Sequence, residues 1–148
     1  MANLLTLTKT QPVRHLAPGE SLIDAGEAGG ELYVLESGRL SVVREGVEIA
    51  VITEPGSLIG EMSVLLGVDH SATVRAVGPV AVRVIEGAID FLEATPLVAL
   101  HVATVVCQRL DDTSALLVQL RKEGVKAEPG FLERIFGAVS GTSARDIA

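Results

Sequence analysis

The sequence predicts a mainly β domain, of the sandwich, jelly-roll or barrel kind, followed by one long helix. The N-terminal part contains many short runs rich in valine, isoleucine and leucine, with turn residues between them at close intervals. This pattern stops at Gly87, after which the apolar residues recur at helical spacing. No segment repeats at a long fixed period, so a solenoid is not expected.

Turn signals divide the β region into strands. Pro18-Gly19, Gly26 and Gly38-Arg39 mark three turns, and Glu45-Gly46 between two β-branched runs is a tight hairpin signal. The threonine-rich start, residues 1–11, fits either a loose end or a short helix. The predicted strands are 13–16, 21–24, 31–35, 40–44, 47–53, 71–76 and 80–86.

Helix signals follow the same order along the chain. A short helix begins after Gly60-Glu61 and stops at Gly67, and Thr95-Pro96 is the cap and first residue of the long helix. Gly124 ends that long helix. The predicted helices are 62–66, 88–94 and 97–122. The predicted units are a β domain at 1–95, a long helix at 96–122, and a linker with a short amphipathic tail at 123–148.

The long helix carries an apolar stripe with steps of three and four residues. The stripe consists of Val102, Val106, Leu110, Thr113, Leu117 and Leu120. Such a stripe is typical of a helix-pairing face, so we expect a homodimer through the 97–122 helix. Packing of the helix on its own β domain is the alternative.

Composition excludes several function classes. The chain has 148 residues and a net charge of −7, which argues against direct DNA binding because a DNA reader normally presents a basic face. Cys107 is the single cysteine, so a disulfide framework or a four-cysteine metal site is excluded. The N-terminal residues show no apolar run of signal-peptide length behind a basic start, and no 18-residue apolar stretch occurs, so we expect a cytoplasmic protein without membrane contact.

The most informative stretch is 55–76. Gly60 allows the backbone to approach a ligand closely, and the N–H groups at the start of the following helix favour an anion. Glu61 is unsuited to a phosphate contact because like charges repel, but its carboxylate suits the hydroxyl groups of a sugar. Amides for a phosphate and a carboxylate for a ribose describe a nucleotide pocket.

These residues resemble the phosphate-binding cassette of cyclic-nucleotide-binding domains. The family includes the catabolite activator proteins, the regulatory subunits of cyclic-AMP-dependent kinase and the gated channels. The resemblance covers about residues 13–122. The cassette-like segments are Ile59-Gly60-Glu61-Met62-Ser63-Val64-Leu65 and Ser71-Ala72-Thr73-Val74-Arg75-Ala76. The resemblance implies a jelly-roll-like β-roll, a double-stranded β-helix, with a short helix and a long C-terminal helix.

The resemblance also implies a set of ligand-binding residues and no catalytic or metal-binding ones. The ligand would be cAMP or cGMP. Thr113-Ser114 resembles the pair that reaches the adenine in the bacterial activators' dimer helix, which favours cAMP. Hydrogen bonds from these two hydroxyls to the helix's own carbonyls are the alternative. The expected set is Gly60, Glu61, Met62, Ser63, His70, Ser71, Ala72, Thr113 and Ser114.

One departure from the family pattern affects the function. Asp69-His70 stands where the family usually has Pro-Arg, and the arginine is the residue that neutralises the cyclic phosphate. We therefore expect weakened nucleotide binding. The alternative is an interaction and dimerisation module that has lost its ligand. A haem or metal sensor using His101 and Cys107 is a third reading, although both residues lie on the long helix.

The resemblance implies a non-catalytic sensor that signals through movement of its C-terminal helix. In the bacterial activators a helix-turn-helix domain follows the linker, but too few residues follow Gly130 to build one. We expect the sensor without the DNA-binding domain, or a fragment of a longer chain. A protein effector would then read the signal.

Overall fold

The computed structural model describes residues 3–124, in which eight strands and four helices occur. The strands are β1 Val13–Leu16, β2 Ser21–Ile23, β3 Leu32–Ser37, β4 Leu40–Arg44, β5 Val47–Ile52, β6 Leu58–Ile59, β7 Thr73–Ala76 and β8 Val80–Ile85. The helices are α1 Leu4–Leu7, α2 Glu61–Leu66, α3 Ala88–Ala94 and α4 Pro96–Lys122. Of the predicted linker and short amphipathic tail at 123–148, residues 125–148 lie outside the described residues.

The strands form two four-stranded sheets with antiparallel neighbours. The first sheet has the order β1–β8–β3–β6 and the second has the order β2–β7–β4–β5. Sequential strands therefore alternate repeatedly between the sheets, as in a jelly-roll-like roll. The mainly β fold class predicted from the sequence is confirmed.

Local sequence explains where the elements begin and end. The β4–β5 hairpin turns at Glu45 and Gly46, which have φ angles of 51° and 77°, as a tight two-residue turn requires. Residues 3–7 resolve the open question at the N-terminus, because Asn3 caps a short helix by accepting a hydrogen bond from the Thr6 N–H at 2.9 Å. The strand predicted at 71–76 begins later, at Thr73.

Strand β3 separates two hydrophobic clusters. Tyr33 and Leu35 belong to the cluster between the sheets, and Leu32 and Val34 belong to the cluster beneath the helices. Successive side chains of a strand point to opposite faces, so a strand that serves two cores is apolar at consecutive positions. The first sheet is therefore covered on both faces at its centre.

The long helix begins inside this second cluster. Val98 and Val102 are buried there, with Ala88 and Leu92 of α3. Val102, the first residue of the predicted pairing stripe, thus packs on its own β domain. The chain forms two compact units, of which the first ends at Val106 and the second begins at Cys107.

Within residues 3–124, no single helix is both long and apolar enough to cross a bilayer. The two helices on either side of Thr95, taken together as a broken pair, do meet the length and composition requirements.

Candidate functional site

The site begins at Gly60, directly after β6 ends at Ile59. Gly60 adopts a left-handed conformation, with φ 90° and ψ 5°, and is the N-cap of α2. A Cβ atom placed on it would lie 2.9 Å from the carbonyl oxygen of Glu31, which is backbone and cannot move aside. Both conformation and space therefore require glycine here.

The first side chains of helix α2 alternate between buried and exposed positions. Glu61 and Ser63 are buried, whereas Met62 is 51% exposed. The hydroxyl of Ser63 donates to the carbonyl of Gly60 at 3.2 Å, across the first turn of the helix. Gly67 ends the helix in a second left-handed conformation, and its N–H donates to the Ser63 carbonyl. The cassette helix is thus bounded by a glycine at each end, as the sequence predicted.

The segment after α2 is held by the loop between β2 and β3. The Gly26 N–H donates to the His70 carbonyl at 2.8 Å, and the His70 N–H donates to the Glu27 carbonyl at 2.9 Å. The Ala25 N–H donates to the Thr73 hydroxyl at 3.1 Å. These three bonds continue the pairing of β2 with β7 outward along the chain. Ser71 is exposed and Ala72 is half-buried beside this tether.

A residue that the sequence reading missed lies at the centre of this arrangement. A Cβ atom on Gly29 would lie 2.2 Å from Ser63 Oγ and 3.1 Å from His70 Cε1. Gly29, Ser63 and His70 therefore meet at one point, although they are far apart in the sequence. The only sequence signal was the Gly29-Gly30 pair, which indicated no more than a turn.

A small cavity opens on the same side of α2. Its volume is about 260 Å³, and its walls come from the 28–30 loop, from the α2 end and from α3. Asp69, which is exposed, lies on its rim, and Val64 and Ile89 form part of its apolar lining.

Tyr33 brings a second buried polar group close to Gly60. Its hydroxyl donates to Glu31 Oε2 at 2.8 Å. Burial, and then this hydrogen bond to a carboxylate, raise the pKa of Tyr33 to about 12. The tyrosine therefore stays neutral and acts as a hydrogen-bond donor over the whole physiological range.

The two predicted adenine contacts lie in the second unit. Thr113 is exposed, and its hydroxyl donates to the carbonyl of Arg109 at 2.8 Å, one turn earlier in α4. This bond to the helix's own backbone is the alternative that the sequence left open for the hydroxyls of Thr113 and Ser114. Ser114 is half-buried. The first unit brings together Gly60, Glu61, Met62, Ser63, His70, Ser71 and Ala72 within one continuous stretch of chain.

Comparison with known families identifies the domain. The profile of the family described as "Cyclic nucleotide-binding domain" matches residues 13–94, which is more than half of the chain. The chain belongs to this family. The resemblance drawn from the cassette residues is confirmed, and the family is generally regulatory and non-catalytic.

Relatives of known sequence are much longer than this chain. An NTE family protein of Mycobacterium tuberculosis is 36% identical over 93 residues, which is 62% of this chain and 16% of the relative. An ABC transporter ATP-binding protein of the same organism is 38% identical over 66 residues, which is 42% of this chain and 20% of the relative. The cyclic nucleotide-binding domain described here therefore spans a small part of the relatives it matches.

Solved structures confirm the fold. The Thermus thermophilus catabolite activator protein matches with a TM-score of 0.67 and 26% identity, over 77% of this chain and 56% of that one. The N-terminal domain of a Streptomyces coelicolor transcriptional regulator matches with a TM-score of 0.55 and 30% identity, over 72% of this chain and 81% of that one.

Metal-binding geometry is a separate question. Among the described residues, no group of three or more His, Cys, Asp or Glu side chains is arranged to hold a metal ion. His101 is half-buried and Cys107 is exposed, so the two residues named for a haem or metal sensor occupy different environments on α4.

Proposed function

We propose that this cyclic nucleotide-binding domain is a non-catalytic regulatory sensor that binds a cyclic nucleotide, with cAMP preferred over cGMP. The observation that carries the proposal is the start of α2. A left-handed Gly60 opens a helix whose first residue, Glu61, is buried, in a chain that belongs to the family. That arrangement places backbone amides and one carboxylate beside each other, which suits a phosphate joined to a ribose.

The proposed site residues contact three parts of the ligand, which are the cyclic phosphate, the ribose and the adenine. The amides of 60–63 and the hydroxyl and amide of Ser71 bind the cyclic phosphate, and Glu61 accepts hydrogen bonds from the ribose hydroxyl. Met62 and Ala72 complete the lining. Thr113 and Ser114 would contact the adenine, for which Thr113 must exchange its bond to the Arg109 carbonyl for one to the ligand.

His70 occupies the place of the family's phosphate-binding arginine. An arginine offers a permanently charged fork, whereas an imidazole offers one donor when neutral and more when protonated. Loss of a charge-assisted hydrogen bond of about 1.5–3 kcal/mol weakens binding by roughly ten- to a hundredfold. We therefore propose weakened cyclic-nucleotide binding.

The proposed signal passes through the cluster beneath the helices. Val64 of α2 shares that cluster with Ala88, Leu92 and Val98 of the C-terminal helices. Movement of α2 on ligand binding would shift the population of α3 and α4 positions, with Gly87 as the hinge, because its φ of 56° favours glycine. A protein effector would read this change.

The same proposal covers assembly and compartment. We propose a homodimer through the 97–122 helix, where Leu110, Leu117 and Leu120 are half-buried rather than buried in the isolated chain. We also propose a cytoplasmic protein without DNA or membrane partners, because the exposed thiol of Cys107 fits a reducing compartment. Sedimentation of the wild type and of Leu117→Glu tests the dimer, and a wild-type monomer at tens of micromolar would refute it.

Calorimetric titration tests the ligand. Wild type and His70→Arg are titrated with cAMP, cGMP and adenosine at one pH. For wild type we expect the affinity to fall in the order cAMP, cGMP, adenosine. His70→Arg should tighten cAMP binding by roughly ten- to a hundredfold, because it restores the charged fork that the family usually has at this position.

The rival function makes a different prediction in the same experiment. If neither wild type nor His70→Arg binds cAMP at millimolar concentration, the pocket has lost its ligand. The domain would then be an interaction and dimerisation module, a reading that the acidic Asp69 beside His70 favours.

A further inference from the structure

The contact among Gly29, Ser63 and His70 joins three separate parts of the roll. Gly29 lies in the loop between β2 and β3, Ser63 lies in α2, and His70 follows α2. A Cβ atom on Gly29 would lie 2.2 Å from Ser63 Oγ and 2.7 Å from Ser63 Cβ. Non-bonded contacts of a Cβ atom are essentially never this short, so a side chain at position 29 and the observed Ser63 exclude each other.

The exclusion cannot be relieved by a simple side-chain rotation. The hydroxyl of Ser63 could turn away, but its Cβ is fixed to the backbone of α2. Turning the hydroxyl would also break its bond to the Gly60 carbonyl. The His70 ring, at 3.1 Å from the same point, would have to yield by a few tenths of an ångström as well. Ser63 is buried, which leaves little free space to absorb the displacement.

The loop cannot easily retreat either. Its residues Gly26 and Glu27 are bonded through their backbones to both the N–H and the carbonyl of His70, and Ala25 is bonded to Thr73. Movement of the loop away from α2 would therefore strain or break bonds that hold His70 in position. The loop, α2 and His70 form one sterically matched set.

We propose that Gly29 is a positioning residue for the nucleotide site. The absence of its side chain provides the space in which Ser63 and the His70 imidazole take their places, and the loop that carries it fixes the His70 backbone. The pair at positions 29 and 63 is then matched by size, so that a side chain is accommodated at one of the two positions but not at both. This inference deepens the proposed function and rests on it where ligand binding is the measurement.

A double-mutant cycle tests the size match. The variants are Gly29→Ala, Ser63→Gly and the double variant Gly29→Ala/Ser63→Gly, in which both short contacts with Ser63 are removed. Ala25→Ser is the control, because it adds one heavy atom to an exposed residue of the same loop whose bond to Thr73 is made by its backbone N–H. Two quantities are measured: the cAMP affinity, and the Cε1–H signal of His70 in ligand-free protein by NMR. The chain has three histidines, so the His70 signal is assigned from its loss in His70→Asn.

We expect Gly29→Ala to weaken cAMP binding by on the order of tenfold, the loss typical of one displaced hydrogen bond to an anion. We also expect it to shift the His70 signal, and we expect the control Ala25→Ser to change neither quantity. Ser63→Gly alone should weaken binding modestly. The decisive result is rescue: the double variant should bind better than Gly29→Ala and return the His70 signal toward its wild-type position. If Gly29→Ala does not fold, recovery of a folded domain in the double variant supports the same size match.

Two outcomes would overturn the inference. One is an unchanged His70 signal in folded Gly29→Ala. The other is a double variant whose defects in His70 signal and affinity are no smaller than the sum of the two single ones. Failure of the proposed function is distinguishable, because wild type would then bind no cAMP while the His70 signal still reports displacement and rescue.

Discussion

Strands β3 and β5 are both six residues long and rich in aliphatic residues, yet they have opposite environments. The first four residues of β3 are buried, whereas every residue of β5 except Ile52 is exposed. Strand β3 lies inside its sheet between β8 and β6, and β5 is the edge of the other sheet. What packs against the two faces of a strand, and not its hydrophobicity alone, therefore distinguishes β3 from β5.

The contrast between the two strands is one between a packed part of the fold, at β3, and an exposed edge, at β5. Strand β3 contributes to both hydrophobic clusters, and the Glu31 carbonyl just before it limits Gly60 at the start of the proposed site. Strand β5 exposes Val47, Ile49 and Val51, and it contains an irregularity in its pairing with β4 near Ile49. A bulge of this kind disfavours edge-to-edge association of exposed strands. Stability should thus depend on β3 far more than on β5.

The largest expected effect is a core truncation in β3. Leu35 is fully buried between the sheets, and Leu35→Ala should lower the free energy of unfolding by about 2–5 kcal/mol. Ile49→Ala in β5 removes a similar volume from an exposed site and should cost less than about 1 kcal/mol. Chemical denaturation measures both values. Equal losses would show that the two strands do not differ as described.

The second prediction concerns the buried hydroxyl of β3. Because the pKa of Tyr33 rises from 10.0 to about 12 on folding, the folded state holds the phenolic proton more tightly than the unfolded state does. The stabilisation is complete below pH 10 and is lost as the pH rises from 10 to about 12. Tyr33 is the single tyrosine and the chain has no tryptophan, so tyrosinate absorbance follows this group alone.

A comparison with Tyr33→Phe isolates that contribution from other groups that titrate at high pH. The wild type should lose more stability than the variant across this window. Half-titration of tyrosinate absorbance near the ordinary phenol value, in folded protein, would contradict the described burial and the bond to Glu31.

The third prediction tests the steric limit that the Glu31 carbonyl, just before β3, places on Gly60 at the start of α2. Gly60 and Gly67 bound the same helix and are both left-handed, but a Cβ on Gly67 would meet nothing within 4 Å. Gly67→Ala should therefore show only the conformational cost. Gly60→Ala should lower the free energy of unfolding by about 1–3 kcal/mol more, the usual cost of overpacking. Thermal and denaturant unfolding give the difference, and identical losses would argue against the steric limit from Glu31.

The fourth prediction moves from stability to binding. Glu61→Gln keeps the shape of the side chain but weakens it as an acceptor for ribose hydroxyls, and it should cost about 1–3 kcal/mol of cAMP binding. Unfolding of the ligand-free variant measures any separate effect on the fold. Unchanged affinity would remove Glu61 from the proposed site.

The smallest expected effect on stability is that of a substitution in the exposed edge strand β5. Val51 is 46% exposed on the edge strand, and Val51→Thr keeps the β-branched shape. The free energy of unfolding should change by no more than about 0.5 kcal/mol, as for most surface substitutions. A loss comparable to that of Leu35→Ala would indicate that something covers β5 in solution.

Much of the proposed site can be predicted from the sequence because its signals are local. Gly60 and Gly67 bound a short helix, and Glu61, Ser63 and Ser71 lie within a few residues of it along the chain. Gly29 and Tyr33 were not singled out. Their contribution comes from contacts with Ser63 and Glu31 that depend on how the roll closes, and single residues carry no sign of that closure.

The sequence by itself determined the family, the turns, the cassette helix and all described strands except β6, because each depends on backbone conformations and spacings encoded in a few adjacent residues. Only the tertiary structure decided which apolar residues are buried. Val102 is as apolar as Val51, but it packs in the cluster beneath the helices while Val51 remains on an edge. Burial depends on what the rest of the chain brings to a residue, and that is fixed when the two sheets and the helices pack together.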